Sequence, residues 1–337
     1  MLNIEERKET TNTAAPTDAL DPYLCHVEMG LAAVFYPLGF PLHLKTNSQE
    51  VIDGAQESWG AFRQEFDIPA LRLQVGVLDD EAVECPPGPI FRAHGGIITG
   101  IADQGNFCVS DVFHGFSFAW VTRATASRKS YLRYHYLEAA ALAHIANRHT
   151  APIHAACVQL NGRGVLLCGD SGAGKSSLSF ACARAGWTFI SDDASFLLND
   201  RKARRVVGNC HLIRLRPSAV DLFPEARDKP LTPRAGSKPS IELFTATVPG
   251  IRKAGSADVD YVVFLNRSSG GAQEIVPLSK EAARDSILQR LSGLEDLRRT
   301  QVESIDRLLT AEVLEIRYRD LDWAVDRLTR LVREPGE

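Results

Sequence analysis

No run of about eighteen apolar residues occurs anywhere in the chain, so no membrane-spanning helix is expected. The first stretch, Met1–Thr17, has neither an apolar h-region nor a small-residue cleavage site, and no secretory signal is expected there. No C-x-x-C pair and no metal-ligand spacing links the seven cysteines, Cys25, Cys85, Cys108, Cys157, Cys168, Cys182 and Cys210. Several lie inside apolar runs and read as small core residues, which suits a reducing, cytoplasmic setting. A strong excess of positive charge is missing too: the net charge is -4, which argues against nucleic acid as the main partner. No internal repeat is evident. What remains, 337 residues that are 45% hydrophobic and 24% charged, is enough for two globular domains with their own cores.

Against these absences one stretch stands out: Gly169-Asp170-Ser171-Gly172-Ala173-Gly174-Lys175-Ser176-Ser177. It fits the phosphate-binding pattern G-x-x-x-x-G-K-[ST] at every fixed position. The glycines permit positive φ, so that successive N–H groups can turn toward a polyphosphate. Lys175 is suited to neutralise β- and γ-phosphate oxygens, and the Ser176 hydroxyl to ligate Mg²⁺. The context agrees. Gly164–Cys168 reads as a buried strand, and Leu178, Ala181, Cys182 and Ala185 share one helical face that Gly186 ends. A helix start placed after the loop aims its partial positive charge at the anion.

Residues 1–20 are expected to form a disordered tail. Residues 21–148 read as an α+β domain. Its strands fall within Met29–Leu44, Leu71–Val77, Phe91–Thr99, Asn106–Phe113 and Phe116–Thr122. Its helices are one capped by Ser48, with Val51, Ile52, Ala55, Trp59, Phe62 and Phe66 on its apolar face, and a long one over Tyr131–Asn147. The histidines there, His94 and His114 included, are too widely spaced for a metal site.

Residues 149–337 read as an α/β domain built on the phosphate loop. Pro152–Leu160 is a strand joined by a tight Asn161-Gly162 turn to the strand that feeds the loop. Trp187–Ser191 is an apolar strand ending in Asp192-Asp193, where such a fold holds Mg²⁺ or takes a nucleophile's proton. Val206–Leu215 and Val259–Leu265 read as strands, and residues 225–240 as a mobile loop over the site. Helices are expected from Ser279 to Leu291 and over Glu295–Leu309. A strand over Val313–Tyr318 and an amphipathic helix over Leu321–Val332 complete the chain.

Taken together, His154, the loop and Asp192-Asp193 resemble the catalytic domain of bacterial HPr kinase/phosphorylase in order and spacing. The resemblance implies a P-loop-containing, HPr-kinase-like fold, also related to phosphoenolpyruvate carboxykinase, that uses ATP and Mg²⁺ to phosphorylate a serine. It implies catalytic roles for Asp192, Asp193, His154 and Lys175, metal ligation by Ser176 and Asp192, and a homo-oligomer. The glycine-rich signature that follows the aspartates in that family is not visible here, and the N-terminal region does not look like theirs. The chain looks more like a diverse HPr-kinase-related group, some members of which phosphorylate peptide serines, lasso-peptide precursors among them. The expected partner is therefore a peptide or protein serine, with neither nucleic acid nor membrane. A small-molecule kinase, or a nucleotide-dependent sensor without transfer, are the alternatives. Arg214, Arg216, Lys238 and Arg267 are candidates for the extra cations that phosphoryl transfer needs.

Overall fold

The computed structural model describes residues 27–78, 84–199, 203–234, 237–267, 270–291 and 293–334; the expected tail at 1–20 lies outside them. The fold is mixed α/β, as the sequence implies, with three sheets. The first has seven strands in the order Leu31–Phe35, Leu42–Thr46, Leu71–Leu78, Phe116–Thr122, Phe107–Asp111, Ile97–Ile101, Ile90–His94. Alternation makes its second strand one-sided. Leu42 and Leu44 are buried while His43 and Lys45 between them are exposed. On its inner face lie the helix Gln49–Trp59 and a continuous helical run from Lys129 to His149.

The second sheet has ten strands, and at its centre Arg163–Cys168 pairs antiparallel with Ala155–Leu160 and parallel with Ser256–Arg267. Ser256–Arg267 pairs in turn, parallel, with Glu312–Tyr318. The run Val165-Leu166-Leu167-Cys168 has no polar interruption because both its faces are covered. Leu166 and Cys168 join a core that includes Ile287, Ile305 and Leu308, from the helices Lys280–Leu288 and Glu295–Leu308. Val165 and Leu167 join another, with Leu178 of Lys175–Arg184 and Leu328 of Leu321–Arg333. The phosphate loop therefore leaves the end of a strand gripped on two sides. A third sheet joins Leu212–Leu215, Ser237–Phe244 and Leu231–Arg234.

Several sequence expectations change in detail. The helix after Ser48 ends at Trp59, so Phe62 and Phe66 lie beyond it. Phe91–Thr99 is not one strand but most of a hairpin, Ile90–His94 with Ile97–Ile101, reversed at Gly95 with φ 54°. Pro152–Leu160 is broken at His154 into Thr150–Ile153 and Ala155–Leu160, which pair with different neighbours. Val206–Leu215 is likewise two strands, Arg205–Gly208 and Leu212–Leu215, in different sheets. Part of the segment expected as a mobile loop, 225–240, is paired strand, since Leu231–Arg234 and Ser237–Phe244 form a ladder. The Asn161-Gly162 turn has φ 51° and 81°, as a tight hairpin of this type requires.

Candidate functional site

The loop from Gly169 to Gly174 takes its shape from positive φ at Gly172 (92°) and Gly174 (100°). Gly174 is also sterically confined, because a Cβ there would sit 2.5 Å from Tyr318 Oη. That hydroxyl donates to the Ala173 carbonyl at 3.0 Å and ties the loop to the strand Glu312–Tyr318. On the other side Arg290 pairs with the Asp170 carboxylate.

The helix Lys175–Arg184 begins directly after the loop. Lys175 is buried, and its Nζ donates to the carbonyls of Gly169 (2.9 Å) and Asp170 (3.1 Å) and to His154 Nε2 (3.0 Å). Burial lowers the Lys175 pKa, with Asp193 and Asp170 pulling the opposite way and Arg290 adding to the shift. An ammonium donating to Nε2 leaves the imidazole neutral, with its proton on Nδ1. Burial favours the same state, since it lowers the His154 pKa more than neighbouring Asp193 raises it. His154 Nδ1 faces the Asp193 carboxylate at 3.4 Å. Lys175, His154 and Asp193 thus form a chain of polar contacts from the loop to the end of the Thr188–Ser191 strand.

The two aspartates, adjacent in sequence, occupy different surroundings. Asp193 is 46% exposed and lines the main cavity. Asp192 is 5% exposed, and its carboxylate accepts the backbone N–H of Arg214 at 2.6 Å. Burial pushes the Asp192 carboxyl up to about 6, against the pull of Arg214. The Ser176 hydroxyl donates to the Asp192 carbonyl at 3.3 Å.

The cavity at this point has a volume of about 480 Å³, within the range of roughly 300–1,000 Å³ typical of small-ligand sites. Ser171, Gly172, Gly174, Lys175, Ser176 and Ser177 line it, together with His154 and Asp193. Gly169, Asp170 and Ala173 of the loop do not line it. Of the four candidate cations, Arg214, Arg216 and Arg267 line the cavity; Lys238 lies on the strand Ser237–Phe244, and its side chain is outside the described residues. Arg216 also donates to Ser171 Oγ at 3.3 Å. Asp221 and Ser240 line it as well, and no motif marks either in the sequence. Nor does any motif mark Arg290 or Tyr318, which act on the loop from more than a hundred residues away.

Among the described residues no group of three or more His, Cys, Asp or Glu could hold a metal by itself. Mg²⁺ takes one or two protein oxygens and completes its shell with phosphate oxygens and water. The Ser176 hydroxyl and an aspartate carboxylate are donors of the right hardness. Among the described residues no helix is long and apolar enough to cross a membrane. The cysteines Cys108, Cys157, Cys168, Cys182 and Cys210 are free and buried, as their apolar flanks suggest.

Residues 144–216 match the family model described as the HPr Serine kinase C-terminal domain. The matched stretch contains His154, the whole loop, both aspartates and Arg214, and this part of the chain is HPr-kinase-related. Among solved structures, the chain is similar to the Hpr(Ser) kinase/phosphatase from Coxiella burnetii, at 13% identity and a TM-score of 0.31, over 54% of this chain and 92% of that one. A likeness that distant carries no inference about activity. No curated protein matches the chain.

Proposed function

We propose that this protein is a kinase that moves the γ-phosphate of ATP to a serine hydroxyl of a peptide or protein. One observation carries the reading: Lys175, His154 and Asp193 are linked in sequence by 3.0 and 3.4 Å contacts at the wall of the loop cavity. A carboxylate base, its orienting histidine and a cation on the phosphate loop are the parts phosphoryl transfer asks for.

In this reading the loop N–H groups and Lys175 hold the triphosphate, and Lys175 exchanges its loop carbonyls for phosphate oxygens. Ser176 would hold Mg²⁺, which would supply positive charge to the phosphate oxygens. Asp193, open to the cavity, is the base: it takes the acceptor hydroxyl's proton as the new O–P bond forms. The bond from phosphorus to the β-phosphate oxygen breaks, and ADP departs. His154 orients Asp193. Asp192, expected from the sequence as a metal ligand, has its carboxylate turned to the Arg214 N–H, so we assign it to fixing the Arg214 strand instead. Arg214, Arg216 and Arg267 supply positive charge for the equatorial oxygens. A cytoplasmic location and a homo-oligomeric assembly belong to the same reading.

The test is incubation with γ-labelled ATP, Mg²⁺ and serine-containing peptides, with Lys175→Ala beside the wild type. Labelled peptide with the wild type and none with the variant is the expected result. Nucleotide binding with no transfer to any acceptor would replace the kinase by a sensor.

A further inference from the structure

A second cavity adjoins the first, and its far walls come from the N-terminal half of the chain. Leu38, Trp59, Phe62 and Leu142 line it from that side, facing Asp192, Asp193 and Phe196. Asp193 and Arg214 line both cavities, whereas Lys175, Ser176 and the loop glycines line only the first. Asp193 therefore stands at the boundary between them. An in-line displacement brings the acceptor to phosphorus from the side opposite the leaving group, so acceptor and nucleotide need separate approaches that meet at the base. The second cavity meets the first at that base.

Resting on the kinase reading, we infer that this second cavity is the acceptor subsite, and that it takes a serine with an uncharged, apolar residue beside it in a peptide chain. Size comes first. The cavity holds about 100 Å³, well short of the roughly 300–1,000 Å³ of sites that enclose a whole small molecule. It accommodates a side chain or two of a longer chain whose remainder stays outside. Charge comes second. The carboxyl groups of Glu138, Asp192 and Asp193 line the cavity against one guanidinium, that of Arg214. That guanidinium is already engaged by Glu242 at 3.2 Å and Glu138 at 3.4 Å. Glu138 is paired with Arg133 at 3.4 Å as well, so the charge left facing the cavity is that of the aspartates, and it would repel an acidic neighbour of the serine or a phosphorylated or carboxylate metabolite. Surface character comes third. Trp59, Phe62, Leu142 and Phe196 offer an apolar lining that rewards an apolar side chain and excludes water from the proton transfer.

The experiment is a positional-scanning library of serine peptides with γ-labelled ATP, run on the full chain as wild type, Leu142→Trp and Leu142→Ala. Leu142 is only partly buried and stands outside the nucleotide cavity, so both variants should bind ATP as the wild type does. The wild type should favour apolar residues next to the serine and reject Asp and Glu there. Filling the cavity in Leu142→Trp should slow transfer by about tenfold or more, and Leu142→Ala should shift the preference toward larger apolar residues. If Leu142→Trp also loses ATP affinity, its fold is disturbed and the preference of Leu142→Ala decides: a shift supports the subsite, an unchanged profile overturns it. A wild type indifferent to the neighbouring residue, with Leu142→Trp equally fast, overturns the subsite and leaves the kinase standing. ATP binding with no peptide labelled overturns the assignment to a peptide serine. Failure to bind ATP at all overturns the kinase reading, and the subsite with it.

Discussion

Lys175 is the residue on which the site's charge balance turns. Its ammonium already satisfies two loop carbonyls and His154, so a bound triphosphate must offer more than those three partners do. It can, because phosphate oxygens are anionic whereas the carbonyls and the imidazole are neutral, so the ammonium gains an ion-pair attraction in addition to its hydrogen bonds. Lys175→Ala should therefore lower ATP affinity by an order of magnitude or more, on the scale of about 1.5–3 kcal/mol for a bond to a charged group; titration calorimetry with Mg²⁺ reads it directly. A different residue governs acid stability. His144 is buried, its Nε2 lies 2.7 Å from Ser117 Oγ, and burial lowers its pKa to about 4, with Arg148 adding to the shift. The unfolded chain binds this proton below about pH 6.5 while the folded chain does not. The stability His144 contributes is thus full above pH 6.5 and falls as the pH drops toward 4, by roughly 3 kcal/mol at most. Urea midpoints at pH 7.5 and 5 should show that loss in the wild type and a smaller one in His144→Gln.

At the scale of elements, the loop was legible and its supports were not. A phosphate loop is written in consecutive residues: glycines for positive φ, then Lys-Ser at the helix start. The structure repeats it in that order, as it does the Asn161-Gly162 turn. Gly174→Ala should weaken nucleotide binding and cost about 1–3 kcal/mol in the loop, since both φ 100° and the Tyr318 hydroxyl oppose a Cβ. Thermal shift with and without ATP would read both effects. By contrast, the break at His154 is set by which neighbour each half-strand pairs with, and no local pattern encodes that. The Ile90–Ile101 hairpin carries its turn signal in Gly95-Gly96, which a single strand over Phe91–Thr99 passes over. The helical run Lys129–His149 was legible as the long helix expected over Tyr131–Asn147, but its π-helical stretch over Arg133–Glu138 was not. That wider turn delivers Arg133 and Glu138 into one ionic cluster. Buried Arg133 meets Glu57 and, at 3.4 Å, Glu138, and Glu138 meets Arg214 of the site. Two of these pairs join residues 76 positions apart, beyond the reach of any spacing rule. Arg133→Ala would take a buried guanidinium from half-buried Glu138 and exposed Glu57, which keep Arg214 and Lys129 as partners, and should destabilise the protein by about 1–3 kcal/mol, measurable by urea denaturation.

For the whole molecule, the N-terminal sheet and the nucleotide half share a core as well as a boundary. Phe196 and Val207, from strands of the ten-stranded sheet, pack in the same cluster as Phe35, Leu73 and Leu137. Residues 149–337 expressed alone would expose that apolar surface, and should be less soluble and unfold at lower temperature than the full chain. The sequence sets the second half apart by its phosphate loop and aspartate pair, but the joint packing of the halves depends on contacts between segments far apart in the chain. The same junction brings the N-terminal helices up to Asp193, the residue on which the proposed chemistry rests. The most direct test replaces that carboxylate by an amide of the same shape and follows transfer from γ-labelled ATP to serine peptides beside ATP affinity. Asp193→Asn should bind ATP nearly as the wild type does and transfer phosphate about 10²–10⁴-fold more slowly, the usual worth of a general base. Transfer at the wild-type rate would contradict the account.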